Sequence, residues 1–249
     1  MKVAMLAAGV GNRLRLGADG PPKALLRFKG ETLLKRHLDI LAHFGLTDLT
    51  LVVGHQASAI ERELGALGVR GSVRTSFNPD YRASSLLSLW TLRDVLTAGH
   101  TVLYMDADVL YDWRLLERLL RSPHDSCILI DSNVEPDEEI VDVRIRDGRI
   151  VAFDKGVRLD DYDIRAEWVG FARFSAPLAG ALARAIEEYV QSGRVDVICE
   201  APMQDVILRS ESFGFADVAG LPWIEIDFPK DLERAHAEVL PRLLSLPPR

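Results

Sequence analysis

Gly9 and Gly11 close the apolar run Val3-Ala4-Met5-Leu6-Ala7, and two cations, Arg13 and Lys23, follow them. The run has the makings of a buried first strand. A glycine pair at its end lets backbone N–H groups turn inward and cradle an anion. Arg13 contributes a planar fork of permanent charge, and Lys23 a compact charge on a flexible stem. Such a loop suits several linked phosphates, hence a nucleoside triphosphate. Two better-known phosphate loops do not fit. The string G-x-x-x-x-G-K-[ST] is absent, and the dinucleotide fingerprint G-x-G-x-x-G meets Leu14 where its third glycine belongs. Glu31 stands where that fingerprint wants an acid, but it precedes a helix rather than ending a second strand.

Three acids are candidate metal ligands. Asp108 follows the apolar stretch 101–105, at the end of a strand, where open α/β sheets place their ligands. Mg²⁺ takes one or two carboxylates together with phosphate oxygens and water. Asp106 shares the face of Asp108 if the strand continues. Alternation along Trp223-Ile-Glu-Ile-Asp227 sends Glu225 and Asp227 to one side and Ile224 and Ile226 to the other. Two acids converging at a strand end repel unless a cation lies between them. Each has a structural alternative. Asp108 could open the following helix, Asp227 could cap the helix at Pro229, and Glu225 could lie on a solvated strand face.

The strings Leu6-Ala7-Ala8-Gly9-Val10-Gly11-Asn12-Arg13, Pro22-Lys23-Ala24-Leu25 and Gly30-Glu31-Thr32-Leu33-Leu34 resemble the nucleotidyltransferase signature L-A-A-G-x-G-x-R, P-K-A-L, G-x-x-L-L. Within that superfamily the chain resembles the phosphocholine-type and related cytidylyltransferases. Asn78-Pro79-Asp80-Tyr81 and Ser88-Leu89-Trp90 match their N-P-x-Y and S-L-W segments, while Ser84-Ser85 stands where two asparagines are common. The run 223–227 matches their W-I-E-I-D.

The resemblance implies a Rossmann-like α/β fold, CTP as donor, Mg²⁺ as cofactor, and a small phosphate or phosphonate acceptor such as phosphocholine or an aminoalkylphosphonate. It assigns Leu6, Ala7, Ala8, Gly9, Val10, Gly11, Asn12, Arg13, Lys23, Asn78 and Ser85 to the nucleotide. Tyr81, Ser84, Lys155 and Trp168 become candidates for the acceptor, and Asp108, Glu225 and Asp227 for the metal. Arg13, Lys23 and Asp108 form the catalytic set. The acceptor oxyanion, already ionised near neutrality, would attack the α-phosphorus in line while pyrophosphate leaves. No protein nucleophile is needed, and catalysis reduces to positioning and charge stabilisation. Gly9, Gly11 and Arg13 would hold the β- and γ-phosphates, and Lys23 the α-phosphate. Trp90, Trp113, Trp168, Trp223, Tyr81 and Tyr162 are enough aromatics for a choline cage. Trp90 lies on a leucine-rich helix and Trp223 alternates in a strand, however, which favours core positions for most of them.

Strand–helix alternation supplies the scaffold. Helices are expected over 31–44, 56–67, from Ser84, over 112–121, 176–192 and 201–210, and from Pro229. The helix from Ser84 buries Leu86, Leu89, Leu92 and Leu96, with Ser84 or Ser85 as N-cap. Strands are expected over 48–53, near 73–75, and over 101–105, 127–130, 168–174, 213–218 and 223–227. Glu139 to Phe153 reads as a hairpin turning at Asp147-Gly148 in type I′. The expected architecture is α/β: a mostly parallel, mixed sheet with helices on both faces and an antiparallel hairpin insertion, in one domain over 1–249 with a frayed tail.

With 48% hydrophobic and 27% charged residues the chain has the composition of an ordinary globular protein. A net charge of −7 argues against non-specific nucleic-acid binding. Cys127 and Cys199 lack metal-ligand spacing and read as reduced, buried thiols. Met1-Lys2 enters a strand directly, and no apolar run approaches the length of a membrane span, so a cytoplasmic protein without membrane insertion is expected. A homodimer is compatible with all of this. Three rival activities are weighed. A sugar-1-phosphate or inositol-1-phosphate nucleotidyltransferase would place hydroxyl-reading groups where a choline enzyme places aromatics. An Asp-x-Asp glycosyltransferase would use Asp106-Ala107-Asp108 but has no need of a triphosphate cradle. A non-catalytic nucleotide sensor would not need loop, lysine and acids together.

Overall fold

The computed structural model describes residues 1–15, 20–134, 140–210 and 212–248. Strand β1 (Lys2–Ala7) leads into a short turn at Asn12–Leu14, and a second turn at Lys23–Leu25 precedes a small ribbon of β2 (Arg27–Phe28) and β3 (Glu31–Thr32). Thr32 then starts α1 (Leu33–His43): its Oγ1 accepts from the Lys35 N–H at 3.1 Å, a cap that contributes about 1 kcal/mol. Strand β4 (Leu49–Val53), helix α2 (Ala57–Ala66) and strand β5 (Val73–Phe77) continue the alternation.

The helix expected from Ser84 forms as two, α3 (Ser85–Trp90) and α4 (Arg93–Leu96). Thr91 Oγ1 donates to the Ser88 carbonyl at 2.8 Å, a side-chain bond that competes with the helical ladder between them. All four leucines of the stripe are buried all the same. Ser84 holds the N-cap position, but its hydroxyl donates to the Val195 carbonyl at 2.6 Å and caps nothing.

Strand β6 (Val102–Asp106) is followed by β7 (Val109–Tyr111), a three-residue strand that periodicity does not reveal, and then by α5 (Arg114–Arg121). Next come β8 (Ser126–Asp131), the hairpin of β9 (Val141–Arg146) and β10 (Arg149–Lys155), and the long β11 (Ile164–Phe174). Asp147 and Gly148 take φ of 50° and 72°, the positive pair that a type I′ turn demands. The expected start of this hairpin at Glu139 lies outside the described residues. Helices α6 (Ala176–Gln191) and α7 (Glu200–Arg209), strands β12 (Phe213–Asp217) and β13 (Trp223–Glu225), and helix α8 (Pro229–Arg234) complete the order.

The main sheet runs β10-β9-β11-β6-β1-β4-β5, with β8 also on β11 and β12 beside β8. Strands β6, β1, β4 and β5 are mutually parallel, as are β8 and β12, whereas β11 is antiparallel to β6, β8 and β9. Alternation along β1 builds a core on each face. Ala4 joins the cluster under α3, α4, α6 and α7, and Val3 and Met5 join the one under α1, α2 and α5. The mixed, mostly parallel α/β architecture is the expected one.

The tail differs from expectation. Leu240 is buried, the Leu244 N–H donates to the buried Asp112 carboxylate at 2.8 Å, and Leu246 packs on the second cluster. Both cysteines are free and buried. Among the described residues no helix is long and apolar enough to cross a membrane.

His37 ties α1 to the edge of the sheet. Its Nε2 lies 3.2 Å from the Ala107 carbonyl, which can only accept, so Nε2 carries the proton. Burial pushes its pKa down to about 4, against a smaller upward pull from that hydrogen bond. The unfolded chain therefore binds a proton that the native state refuses as pH falls from about 6.5 toward 4. Stability is lost over that window, by on the order of 3 kcal/mol from this group. Denaturant midpoints between pH 7.5 and 4.5 should fall less steeply for His37→Gln than for the wild type. Parallel profiles would show that His37 does not set the acid limb.

Candidate active site

Strands β1, β4 and β6 are parallel, so their carboxyl ends reach the same edge of the sheet. A cavity of about 600 Å³ opens there. Residues 6–13 run from β1 along its wall, Lys23 and Ala24 come from the second short turn, and Asp106, Ala107 and Asp108 come from the end of β6. Gly11 takes a φ of 67°, and a Cβ on it would meet Lys23 Cγ at 3.4 Å. Glycine thus supplies the left-handed backbone and lets the lysine stem lie against the loop.

Lys23 is held between two acids. Its Nζ donates to Asp108 Oδ2 at 2.9 Å and to Asp227 Oδ1 at 2.5 Å, and Arg13 Nη2 donates to Asp227 Oδ2 at 2.7 Å. Burial alone would lower the lysine pKa, but the Asp108 and Asp227 carboxylates outweigh it and hold the ammonium above its ordinary range.

The acids are brought together by β7. It pairs antiparallel with β13, setting Glu225 opposite Val109, and the Ile226 N–H donates to the Asp108 carbonyl at 3.1 Å. Strand β13 ends at Glu225, so Asp227 is placed by α8 rather than by strand alternation. Asp231 accepts from the backbone N–H groups of Asp227 and Phe228 at 3.0 and 2.7 Å, which leaves the Asp227 carboxylate to face Lys23 and Arg13. Asp108 sits in the turn between β6 and β7 and does not open a helix. Ligand oxygens of Asp108, Glu225 and Asp227 all lie within 4.8 Å of one another. Converging hard oxygen donors of this kind fit Mg²⁺. Glu225 stays exposed at the cavity, but the protein around it removes part of its hydration, and this together with repulsion from Asp108 and Asp227 raises its carboxyl above the usual carboxylate range.

The far wall is formed by Lys155 at the end of β10, Trp168 and Gly170 on β11, and Ile198, Cys199 and Glu200 at the start of α7. Asp106 stands between this wall and Asp108. Tyr104 donates to its Oδ1 at 2.7 Å, while burial and then the Asp108 and Glu200 carboxylates raise it well above the ordinary range. Burial raises Glu200 as well, and the Cys199 thiol lies 3.2 Å from its Oε2.

Tyr81, Ser85, Lys155 and Trp168 line the cavity; Asn78 and Ser84 do not. The Asn78 amide donates to Ser88 Oγ at 3.0 Å and its carbonyl accepts from the Asp80 N–H at 2.9 Å, so it shapes the loop before α3. Ser85 Oγ accepts from the Cys199 N–H at 2.9 Å and joins α3 to α7. Tyr81 and Trp168 are the only aromatics on the wall among the described residues. Trp168 is itself wedged between Tyr104 and Phe153, with ring centroids 5.9 and 5.3 Å away. Trp90 lies under Arg93, Trp113 beside His43, and the Trp223 indole donates to Asp131 at 2.7 Å, so no cage forms from them. The sequence pattern does not mark Arg82, Glu200 or Gly170, and marks Cys199 only as a buried thiol. Glu200 signals itself there only as an acid near a helix start, and Gly170 only as a glycine inside a strand pattern.

Gly170 makes room for Asp106. It has a φ of 86°, inside the register shift between Trp168 and Ala172, and a Cβ would stand 2.8 Å from Asp106 Oδ2. Gly170→Ala should therefore lower stability by roughly 1–3 kcal/mol through backbone strain and displacement of the half-buried Asp106 carboxylate. An unchanged urea midpoint would show that β11 accommodates the added methyl.

Residues 3–191 match the MobA-like NTP transferase domain. A bifunctional IPC transferase and DIPP synthase of Rubrobacter xylanophilus is 31% identical over 243 residues, covering 95% of this chain and 51% of that protein. A CMP-5'-(3-aminopropyl)phosphonate synthase of Streptomyces rubellomurinus is 25% identical over 256 residues, covering 97% of this chain and 39% of that protein. The chain thus spans about half the length of the first of these relatives and about two fifths of the second. The solved inositol-1-phosphate CTP transferase from T. maritima has the same fold, with a TM-score of 0.75 at 21% identity over 97% of this chain and 95% of that one.

Proposed function

The chain belongs to the MobA-like NTP transferase family, and from that premise we propose that it transfers CMP from CTP to a small phosphate or phosphonate acceptor, with release of pyrophosphate. The observation that carries this reading is the convergence of the glycine loop, Lys23 and three carboxylates in one cavity. One domain, residues 1–249, would carry the reaction.

Backbone N–H groups at Gly9 and Gly11, with Arg13, hold the terminal phosphates. Lys23, held against Asp108 and Asp227, would meet the α-phosphate and offset the charge that develops there. A bond forms between an acceptor oxygen and the α-phosphorus as the α–β bridge breaks, and the electron pair departs with pyrophosphate. The acceptor is already ionised, so no side chain has to remove a proton. Asp108, Glu225 and Asp227 would hold Mg²⁺, which when bound neutralises phosphate charge.

The far wall narrows the acceptor. With two aromatics and two half-buried carboxylates, Asp106 and Glu200, it suits a hydrogen-bonding primary ammonium better than a quaternary one. An aminoalkyl phosphate or phosphonate is therefore favoured over phosphocholine. The same polar lining supports a second reading, a cyclitol or sugar 1-phosphate, whose hydroxyls also donate to carboxylates. Lys155 lines this wall and would meet the acceptor's own phosphate group.

Pyrophosphate release is the test, with Mg²⁺, each of the four ribonucleoside triphosphates, and an acceptor panel of phosphocholine, phosphoethanolamine, 2-aminoethylphosphonate, inositol 1-phosphate and glucose 1-phosphate. Turnover is expected with CTP and an amino-bearing acceptor. Turnover confined to a sugar or cyclitol phosphate would keep the chemistry and replace the acceptor, and no release with any pair would sink the proposal. Lys23→Met should lower kcat roughly a hundredfold or more while leaving the circular dichroism unchanged. A kcat within a few-fold of wild type would remove Lys23 from the catalytic set.

A further inference from the structure

We infer that His37 is a positioning residue for Asp108: from the inner face of α1 its imidazole holds the turn from which Asp108 faces Lys23, Glu225 and Asp227. This rests on the metal-assisted transfer proposed above, and extends it to a residue that no motif marks. Three hydrogen bonds set the turn between β6 and β7. The Ala107 N–H donates to the Leu6 carbonyl of β1 at 3.1 Å, His37 Nε2 donates to the Ala107 carbonyl at 3.2 Å, and the Asp108 carbonyl accepts from the Ile226 N–H at 3.1 Å. The first and the last are backbone pairs, which β1 and the β13 segment supply whatever their side chains are. The second is made by a side chain. It falls on the peptide that joins Ala107 to Asp108, and so acts directly on the orientation of the Asp108 backbone.

Helix α1 is attached to both sides of the contact between Lys23 and Asp108. At its first residue the Leu33 N–H donates to the Leu26 carbonyl at 2.9 Å, directly after the turn that carries Lys23, and Leu34 shares a core cluster with Ala24. One helical turn on, His37 reaches the turn that carries Asp108. Thr32, the N-cap of α1, donates its hydroxyl to Glu63 Oε1 on α2 at 2.8 Å, which fixes the start of α1 against a second helix. Lys23 Nζ and Asp108 Oδ2 stand 2.9 Å apart. That separation is therefore set through α1, by Leu33 on the lysine side and by His37 on the acid side.

Packing alone does not account for an imidazole here. The side chain is fully buried beside Tyr111 and Phe171, with ring centroids 5.3 and 6.4 Å away, and its Nδ1 has no hydrogen-bond partner among the described residues. An orphan buried nitrogen costs free energy comparable to what the bond at the other nitrogen contributes. Leucine or phenylalanine would fill the same box without an orphan nitrogen. What either would lack is a donor for the Ala107 carbonyl. Ala107 is 2% exposed, so the freed carbonyl would have to turn toward another donor and carry Asp108 with it. A metal-binding carboxylate tolerates displacements of only about 0.5 Å.

His37→Leu and His37→Phe remove the donor in two shapes, so that one keeps the core filled where the other does not, and His37→Gln retains a donor as a carboxamide. Pyrophosphate release is measured against Mg²⁺ concentration, and backbone amide exchange is followed at Ile226 and along β4 with neither metal nor nucleotide present. Loss of the donor should raise the Mg²⁺ concentration for half-maximal release about tenfold or more. It should also speed exchange at Ile226 more than along β4, and His37→Gln should recover most of both effects. A lower urea midpoint with unchanged Mg²⁺ dependence, or equal acceleration at all amides, would overturn the inference, because His37 would then only fill the core. A glutamine variant no better than the leucine and phenylalanine variants would overturn it as well, since the donor would not matter. Wild type that releases no pyrophosphate would sink the transfer reading alone if exchange at Ile226 still depends selectively on the donor, and would sink both if it does not.

Discussion

Three carboxylates offer oxygens within 4.8 Å of one another, and the structure depends on how cations offset their mutual repulsion. Lys23 does so from one side through Asp108 and Asp227, and Arg13 adds a second charge on Asp227. These pairs link the glycine loop to the end of β6 and to the segment before α8, which are far apart in sequence. Removing a single partner from a desolvated group of this kind leaves an uncompensated charge rather than a lost bond. The local devices around the site serve this arrangement. The β7–β13 ribbon sets Glu225 beside the turn that holds Asp108, and Asp231 takes up the backbone of Asp227 and Phe228 so that the Asp227 carboxylate stays free of capping duty.

Much of this was legible in the sequence because it rests on local pattern. The glycines, Arg13 and Lys23 follow a buried strand at fixed spacing, and the Asp147-Gly148 turn is dictated by backbone conformations that few residue pairs adopt. What escaped depends on partners distant in the chain. Val109-Leu110-Tyr111 is too short for any periodicity, and becomes a strand only because Trp223-Ile224-Glu225 pairs with it. The leucine stripe from Leu86 to Leu96 reads as one helix, yet Thr91 spends its hydroxyl on a carbonyl of the preceding turn and divides it. The closing segment looks frayed by composition, but Asp112, buried beside β7, accepts the Leu244 N–H and fixes it. The strand and the tail are tertiary contacts overriding a local preference, and the divided helix is a local side-chain bond that a leucine pattern does not show.

The acceptor end shows the same division. Four tryptophans suggest an aromatic cage when only their number is known. Once folded, Trp90, Trp113 and Trp223 are taken up by packing and by hydrogen bonds elsewhere, and Trp168 reaches the cavity from a position already stacked on Tyr104. The wall that remains is defined by groups without a sequence pattern: Asp106 kept close to β11 by a glycine, and Glu200 at the first turn of α7. Partial desolvation holds both half-buried acids above the ordinary carboxylate range, and a hydrogen-bond donor from a ligand would meet their oxygens more directly than an apolar headgroup.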